Sequence, residues 1–244
     1  MQLLRSPIFS RVSPARSQLF IFVSLLLILV FWQTRFVYPV KVFVVFLHEM
    51  SHAAAALFTG GAVERISLDV YEGGSCDTIG GSRLTILNAG YFGSILWGGF
   101  LLIIACRTTL DRPLTFLVGA TLLIVTVRYV ESDFGKEFGY AASVFGMVSA
   151  VFLPALVCEA ILTHLGMTSC LYTLFDIVSD VFYRSVTHSS DAELLSDATG
   201  IPSVVWGVVW LLVSAWATLF FVRVATVGLG GGEEIIGEVA PSSA

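Results

Sequence analysis

The chain has 244 residues, of which 56% are hydrophobic and 13% are charged, and its formal net charge is -5. A soluble domain normally carries about a quarter charged residues, so this composition excludes a soluble globular protein and indicates an integral multi-pass membrane protein in a lipid bilayer. The acidic balance, without any basic cluster, also argues against a nucleic-acid partner.

Seven apolar segments follow one another along the chain, at 19–32, 40–58, 84–106, 114–127, 138–165, 167–186 and 201–222. A helix needs about 20 residues to cross the hydrocarbon core. Segments 84–106 and 201–222 meet this length without a charged residue, whereas 19–32 and 114–127 are short. The sequence therefore predicts an all-α polytopic membrane protein with about six transmembrane helices, within a range of about five to seven.

The polar ends of the chain set the predicted domain boundaries. Residues 1–17 carry arginines without any acidic residue, which together with the following apolar stretch predicts a signal anchor that is not cleaved. Residues 18–226 are predicted to form a single transmembrane domain. The glycine-rich and acidic stretch at 227–244 is predicted to be a flexible tail.

The second apolar segment contains "FVVFLHEMSHAAAALFTGG", in which His48, Glu49 and His52 interrupt an apolar run. His48 and His52 are four residues apart, so on a helix they lie on one face and can hold one metal ion, usually zinc. Glu49 beside them suits a general base, and HExxH on a helix is the zinc-hydrolase pattern. The alternative is that all three are polar side chains near the membrane surface. Because an ionisable residue at the bilayer centre costs roughly 2.5–3.5 kcal/mol, we favour the metal site.

A short polar stretch follows this helix. Ile66, Leu68 and Val70 alternate with polar residues, which is the period of a strand, and the glycine pairs at 73–74 and 80–81 suit turns. The sequence predicts a small β-hairpin over 63–80, inserted after the HExxH helix.

These motifs together resemble the site-2 protease family of intramembrane zinc metalloproteases, in its compact, multi-pass, peptidase-like branch without a PDZ domain. The resemblance covers roughly residues 38–224 and includes "FLHEMSHAAAALFTGGAVERISL" and "NAGYFGSILWGG". It also includes a late "LYTLFDIVSD" helix followed by "SSDAELLSDAT". The resemblance implies a zinc-dependent endopeptidase that hydrolyses peptide bonds of membrane-embedded proteins or peptides through a metal-activated water.

The resemblance also implies a third zinc ligand, an aspartate on a later span. Asp176 is the predicted ligand, with Asp180, one turn further along the helix, as the alternative. The family's more common NxxP and DG patterns do not occur here. An extended substrate segment would add to the edge of the hairpin, at Ile66, Leu68 and Val70.

A different class of function stays open at this point. Intramembrane His, Asp and Glu residues would serve a metal-handling transporter equally well, and a non-proteolytic scaffold could descend from the protease fold. A transporter is expected to show internal repeats, and the sequence has none that we can detect. A scaffold has no need of Glu49 beside the histidine pair. The protease is therefore the favoured hypothesis.

Overall fold

The computed structural model of the chain describes residues 13–182 and 190–227, with the backbone alone at 180–182. Within these ranges the chain forms eight helices and one antiparallel pair of strands. In chain order the elements are α1 (Pro14–Phe31), α2 (Tyr38–Phe58), β1 (Ala62–Leu68), β2 (Gly74–Ile79), α3 (Arg83–Arg107), α4 (Asp111–Tyr129), α5 (Asp133–Phe152), α6 (Ala155–Phe182), α7 (Asp191–Thr199) and α8 (Ser203–Val227).

Six of the described helices are long and apolar enough to cross a membrane, namely α1, α2, α3, α4, α6 and α8. This confirms the prediction of an all-α polytopic membrane protein with about six spans. The outer faces of α1 and α8 expose large apolar side chains such as Phe22, Leu212 and Trp216, as lipid-facing surfaces do.

The two apolar segments predicted at 138–165 and 167–186 divide at a different place. In the structure α5 ends at Phe152 and α6 begins at Ala155. Pro154 lies between them, and a proline inside a helix would remove a backbone donor and clash with the preceding turn. The chain therefore breaks at Pro154, and the residues around 166 lie inside α6.

Helix α3 occupies the centre of the bundle, where it packs against α2, α6 and α8. Helix α2 is the most buried of the six candidate spans: 72% of the residues in its most apolar 18-residue stretch are buried inside the protein. Its apolar residues form one core cluster with Ile66 and Leu68 of the hairpin and with Leu122 of α4. Residues on α2 are thereby held between the hairpin and the helical bundle.

The predicted hairpin is present and follows α2 directly. Gly60, with φ of 83°, ends the helix in the left-handed region that glycine adopts without strain. Strand β1 then pairs antiparallel with β2, with Ile66 opposite Cys76 and Leu68 opposite Gly74. The short sheet is packed against α2, so it lies beside the HExxH residues.

The predicted domain boundaries stay a prediction. Most of the polar segment at 1–17 and nearly all of the tail at 227–244 lie outside the described residues. Helix α1 begins at Pro14, inside the segment predicted to be polar, and Val227 is the last residue of α8.

Candidate metal centre

The HExxH residues lie in the middle of α2, with mostly apolar residues before them and the run from Ala53 to Phe58 after them. His48 and His52 project from the same face, and their ring centroids are 4.8 Å apart. Glu49 and His52 are buried, with only 5% and 6% of their surface exposed. A charged or metal-binding side chain needs specific partners when it is buried to this degree.

Helix α7 brings a carboxylate to the two histidines. Oδ2 of Asp191 lies 3.1 Å from Nε2 of His48 and 3.1 Å from Nε2 of His52. The three ligand atoms all lie within 4.8 Å of one another. Zinc bonds of about 2.0–2.2 Å in tetrahedral geometry place neighbouring ligand atoms about 3.4 Å apart, so the observed spacing suits one metal ion.

The position of Asp191 follows from the local sequence. Asp191 is the first residue of α7, directly after the N-cap Ser190. The Ser190 hydroxyl accepts a hydrogen bond from the Glu193 backbone N–H, and the Glu193 carboxylate accepts one from the Ser190 N–H. This reciprocal capping box fixes the first turn of α7 and with it the carboxylate of Asp191.

The hydrogen bond on the far side of the His52 ring determines which of its nitrogens is free. Nδ1 of His52 lies 2.7 Å from the carbonyl oxygen of Ile86. A carbonyl oxygen can only accept a hydrogen bond, so Nδ1 carries the hydrogen and acts as the donor. In neutral His52 the Nε2 lone pair therefore faces the carboxylate oxygen of Asp191. Two electron-rich atoms at this distance need a metal ion or a proton between them, and the metal ion gives the arrangement of a histidine metal ligand.

Asp191 is ionised at neutral pH. Burial alone raises the pKa of its carboxyl group, but the positive charge of His52 and hydrogen bonds from both histidines outweigh burial and hold that pKa well below its usual range. A buried carboxylate that stays ionised needs a positive partner, and either a metal ion or a proton on the histidines meets this need.

Gly90 on α3 leaves the space that such an ion requires. A Cβ atom at this position would lie next to Nε2 of both His48 and His52, well inside van der Waals contact. The donor set, its spacing and this space all fit a zinc ion.

Replacing Gly90 by alanine is expected to weaken zinc binding by roughly ten- to a hundredfold, since overpacking a filled site costs about 1–3 kcal/mol. Gly93→Ala is the matched control, because a Cβ there meets the side chain of Ser51 and not the imidazole rings. The measurement is zinc per chain at graded free zinc. Equal zinc affinity in the two variants would contradict the assignment of this space to the metal.

Aromatic side chains of α3 and α8 pack next to His48. Tyr91 of α3 packs edge-to-face on the His48 ring with centroids 5.0 Å apart, and it lies 4.7 Å from the ring of Trp210 on α8. Nε1 of Trp210 donates to Oδ1 of Asn88 at 2.9 Å. The span that contains "NAGYFGSILWGG" therefore packs directly against the histidine pair.

The two aspartates predicted as third ligand occupy other places. Asp176 on α6 is half-buried and lines the same cavity, but it is not part of the group formed by His48, His52 and Asp191. The side chain of Asp180 lies outside the described residues. Asp191 was not among the predicted ligands, because Ser190 and Asp191 form the ordinary pattern of a helix start.

A cavity of about 1260 Å³ lies over these residues. Its wall includes His48, Glu49, His52, Asp191 and the length of β2 from Gly74 to Thr78. A Cβ atom on Gly74 would collide with the side chain of Glu49, so the backbone of the hairpin lies directly against that carboxylate. The cavity is large enough for an extended stretch of polypeptide beside Glu49.

The hairpin does not present the edge that was predicted. Ile66 and Leu68 are buried in the core, with 0% and 3% exposed, and Val70 lies in the turn. The outer edge of β1 is covered, because Ile66 bridges to Val130 and the Leu68 N–H donates to the hydroxyl of Ser132. Among the described residues β2 pairs only with β1, so the open edge of the sheet is that of β2.

Comparison with known proteins gives one match. A family model described as Peptidase M50B-like matches residues 21–221. Neither the curated proteins nor the solved structures contain a match. The matched range includes every residue of the candidate metal centre.

Proposed function

Because the chain belongs to the Peptidase M50B-like family, a group of site-2 protease-like membrane metalloproteases, we propose that it is a zinc-dependent endopeptidase that cleaves membrane-embedded segments. His48, His52 and Asp191 are the proposed zinc ligands, and Glu49 is the proposed catalytic base. The observation that carries the proposal is the meeting of two Nε2 atoms on one oxygen of Asp191, each at 3.1 Å.

A zinc ion held by these three residues would supply Lewis acidity, which acidifies a water molecule and polarises the carbonyl group of a peptide bond. His52 would direct its Nε2 lone pair at such an ion, because its Nδ1 donates to the carbonyl oxygen of Ile86. Three protein ligands would leave room for a water molecule on the ion. Asp176, on the wall of the same cavity, is half-buried and can order that water or the substrate.

Glu49 moves the proton in the proposed reaction. Its carboxylate takes a proton from the attacking water and passes it to the amide nitrogen, which leaves as an amine. The side chain is 95% buried and borders the cavity, so a proton on it is shielded from bulk solvent. One residue thus serves as base and then as acid within a single turnover.

Substrate binding is assigned to the open edge of β2. Peptide bonds inside a membrane helix are masked by hydrogen bonds, so a helical segment must unwind before hydrolysis. An unwound segment can add to β2 as a further strand, which satisfies its backbone groups and leaves its carbonyls facing the cavity. This assignment replaces the predicted contacts at Ile66 and Leu68, whose strand has its outer edge covered, and at Val70, which lies in the turn.

The test is zinc content followed by cleavage. Detergent-purified protein is expected to hold about one zinc per chain, and His48→Ala to hold almost none. Wild type reconstituted with a library of single membrane-spanning segments, each fused between two reporter domains, is expected to cleave some members. Zinc binding without any cleavage would favour a metal-handling scaffold, and a wild type without zinc would overturn the proposal.

A further inference from the structure

An ion pair between buried Lys41 and half-buried Glu72 fastens the tip of the hairpin (residues 69–73) to α2. Nζ of Lys41 lies 2.5 Å from Oε1 of Glu72, and only 8% of the Lys41 side chain is exposed. Lys41 is seven residues before His48 on the same helix, so the two side chains share a face. A buried charge requires a partner, and removing one partner alone leaves the other uncompensated.

Three aromatic residues complete this attachment. The Lys41 ammonium lies 5.2 Å from the ring centroid of Trp32. The Tyr38 hydroxyl donates to the carbonyl of Val70 at 2.9 Å, and the Tyr172 hydroxyl donates to the carbonyl of Glu72 at 3.4 Å. The tip is thus held from α2, from α6 and from the residue after α1.

Hydrogen bonds within the turn connect Glu72 to the start of β2. The Asp69 carboxylate accepts hydrogen bonds from the backbone N–H groups of Tyr71 and Gly73. Glu72 itself has φ of 64°, a left-handed backbone conformation that is uncommon for residues other than glycine. Two residues later the backbone of Gly74 lies against Glu49. Movement at the tip would therefore move β2 relative to the catalytic base.

We propose that Lys41 and Glu72 are positioning residues, whose ion pair holds β2 against Glu49 and along the cavity without contributing to the metal site. The role in substrate alignment rests on the proposed function, whereas the attachment of the hairpin can be tested without it. Breaking the pair releases the hairpin from α2 and leaves the zinc ligands in place.

Cys76 provides a reporter inside the hairpin. It lies in β2 and lines the cavity, whereas Cys106, Cys158 and Cys170 are buried. Burial raises the pKa of the Cys76 thiol to about 12, with the nearby charges of Glu49 and Asp77 adding to the effect. Thiolate is the reactive form, so Cys76 in the attached hairpin reacts slowly with a maleimide. Release of β2 exposes the thiol and increases its thiolate fraction.

The experiment measures maleimide labelling of the full chain at one mildly alkaline pH, with Cys76→Ser giving the background. We expect Lys41→Met and Glu72→Gln each to label about tenfold faster than wild type, which corresponds to a fall of about one unit in the thiol pKa. The double variant should label no faster than either single variant, because both remove the same interaction. Lys41→Arg keeps the charge and is expected to label at the wild-type rate.

Arg65→Gln is the matched control within the same hairpin. Arg65 pairs with Asp77 at 2.7 Å, but this pair is exposed and should affect the position of the strands little. Zinc content is measured on every variant. Faster labelling with zinc retained supports the inference.

Unchanged labelling, or an equal rise in Arg65→Gln, would overturn it. Faster labelling together with loss of zinc would also overturn it, since the pair would then support the whole fold. If wild type held no zinc, the proposed function would fail, and the labelling rates would still decide whether the pair anchors the hairpin.

Discussion

Asp191→Asn is expected to lower zinc affinity by roughly a hundredfold or more, while Asp176→Asn leaves it within a few-fold of wild type. Among the residues that the structure describes, Asp191 alone places an oxygen 3.1 Å from Nε2 of both histidines. Asparagine has the same shape, so the packing of α7 is retained. Its amide carries no charge, and it can direct an NH₂ group at the ion.

Zinc per chain, measured by mass spectrometry after equilibration at graded free zinc, tests this expectation. Asp197→Asn is the matched control, because Asp197 is an exposed aspartate on the same helix. Zinc kept by Asp191→Asn and lost by Asp176→Asn would restore the ligand predicted from the sequence. Loss in both variants would indicate that Asp176 orders the site from the cavity wall.

The HExxH helix was predictable because its signal is local. The spacing of His48 and His52 fixes their common face on any helix, and an apolar run of membrane length surrounds them. The fold class and the hairpin follow from similar local patterns, and the structure confirms both. Hydropathy alone did not predict the boundary between α5 and α6, because the apolar segment continues through Pro154, where the helix breaks.

The proposed third ligand, Asp191, was not predictable in the same way. An aspartate in an apolar span is costly, so Asp176 attracted the prediction, whereas Asp191 reads as an ordinary helix start. What joins Asp191 to the histidines is the packing of α7 on α3 and α8, which no local pattern encodes. The capping box of Ser190 and Glu193 indicates where α7 begins, but it does not indicate which residues Asp191 meets.

Which edge of the hairpin is open was also not predictable from local sequence. Alternation along β1 shows which side chains face the core, but it says nothing about which strand is covered by another segment. Ile66 is covered by Val130, which is 64 positions away in the sequence. The open edge of β2 is a property of the packed molecule.

Glu49→Gln is expected to lower the cleavage rate by about a thousandfold or more while zinc content stays near that of wild type. Positioned proton transfer contributes about 10²–10⁴ in rate, and glutamine can neither accept the proton of a water molecule nor deliver one to the leaving nitrogen. Glutamine preserves the volume against Gly74, so the hairpin remains in place. We therefore expect a lower kcat with an unchanged zinc content.

Cleavage of a responsive library member, followed alongside zinc content, checks this expectation. Glu137→Gln, an exposed glutamate on α5, removes a carboxylate of the same type away from the cavity and should cleave at the wild-type rate. Cleavage within tenfold of wild type in Glu49→Gln would mean that another carboxylate moves the proton. Asp176 would then be the group to test, because it borders the same cavity without belonging to the three proposed zinc ligands. A combined loss of zinc and cleavage would instead show that the Glu49 charge helps to hold the ion, since Glu49 interacts electrostatically with His48 and His52.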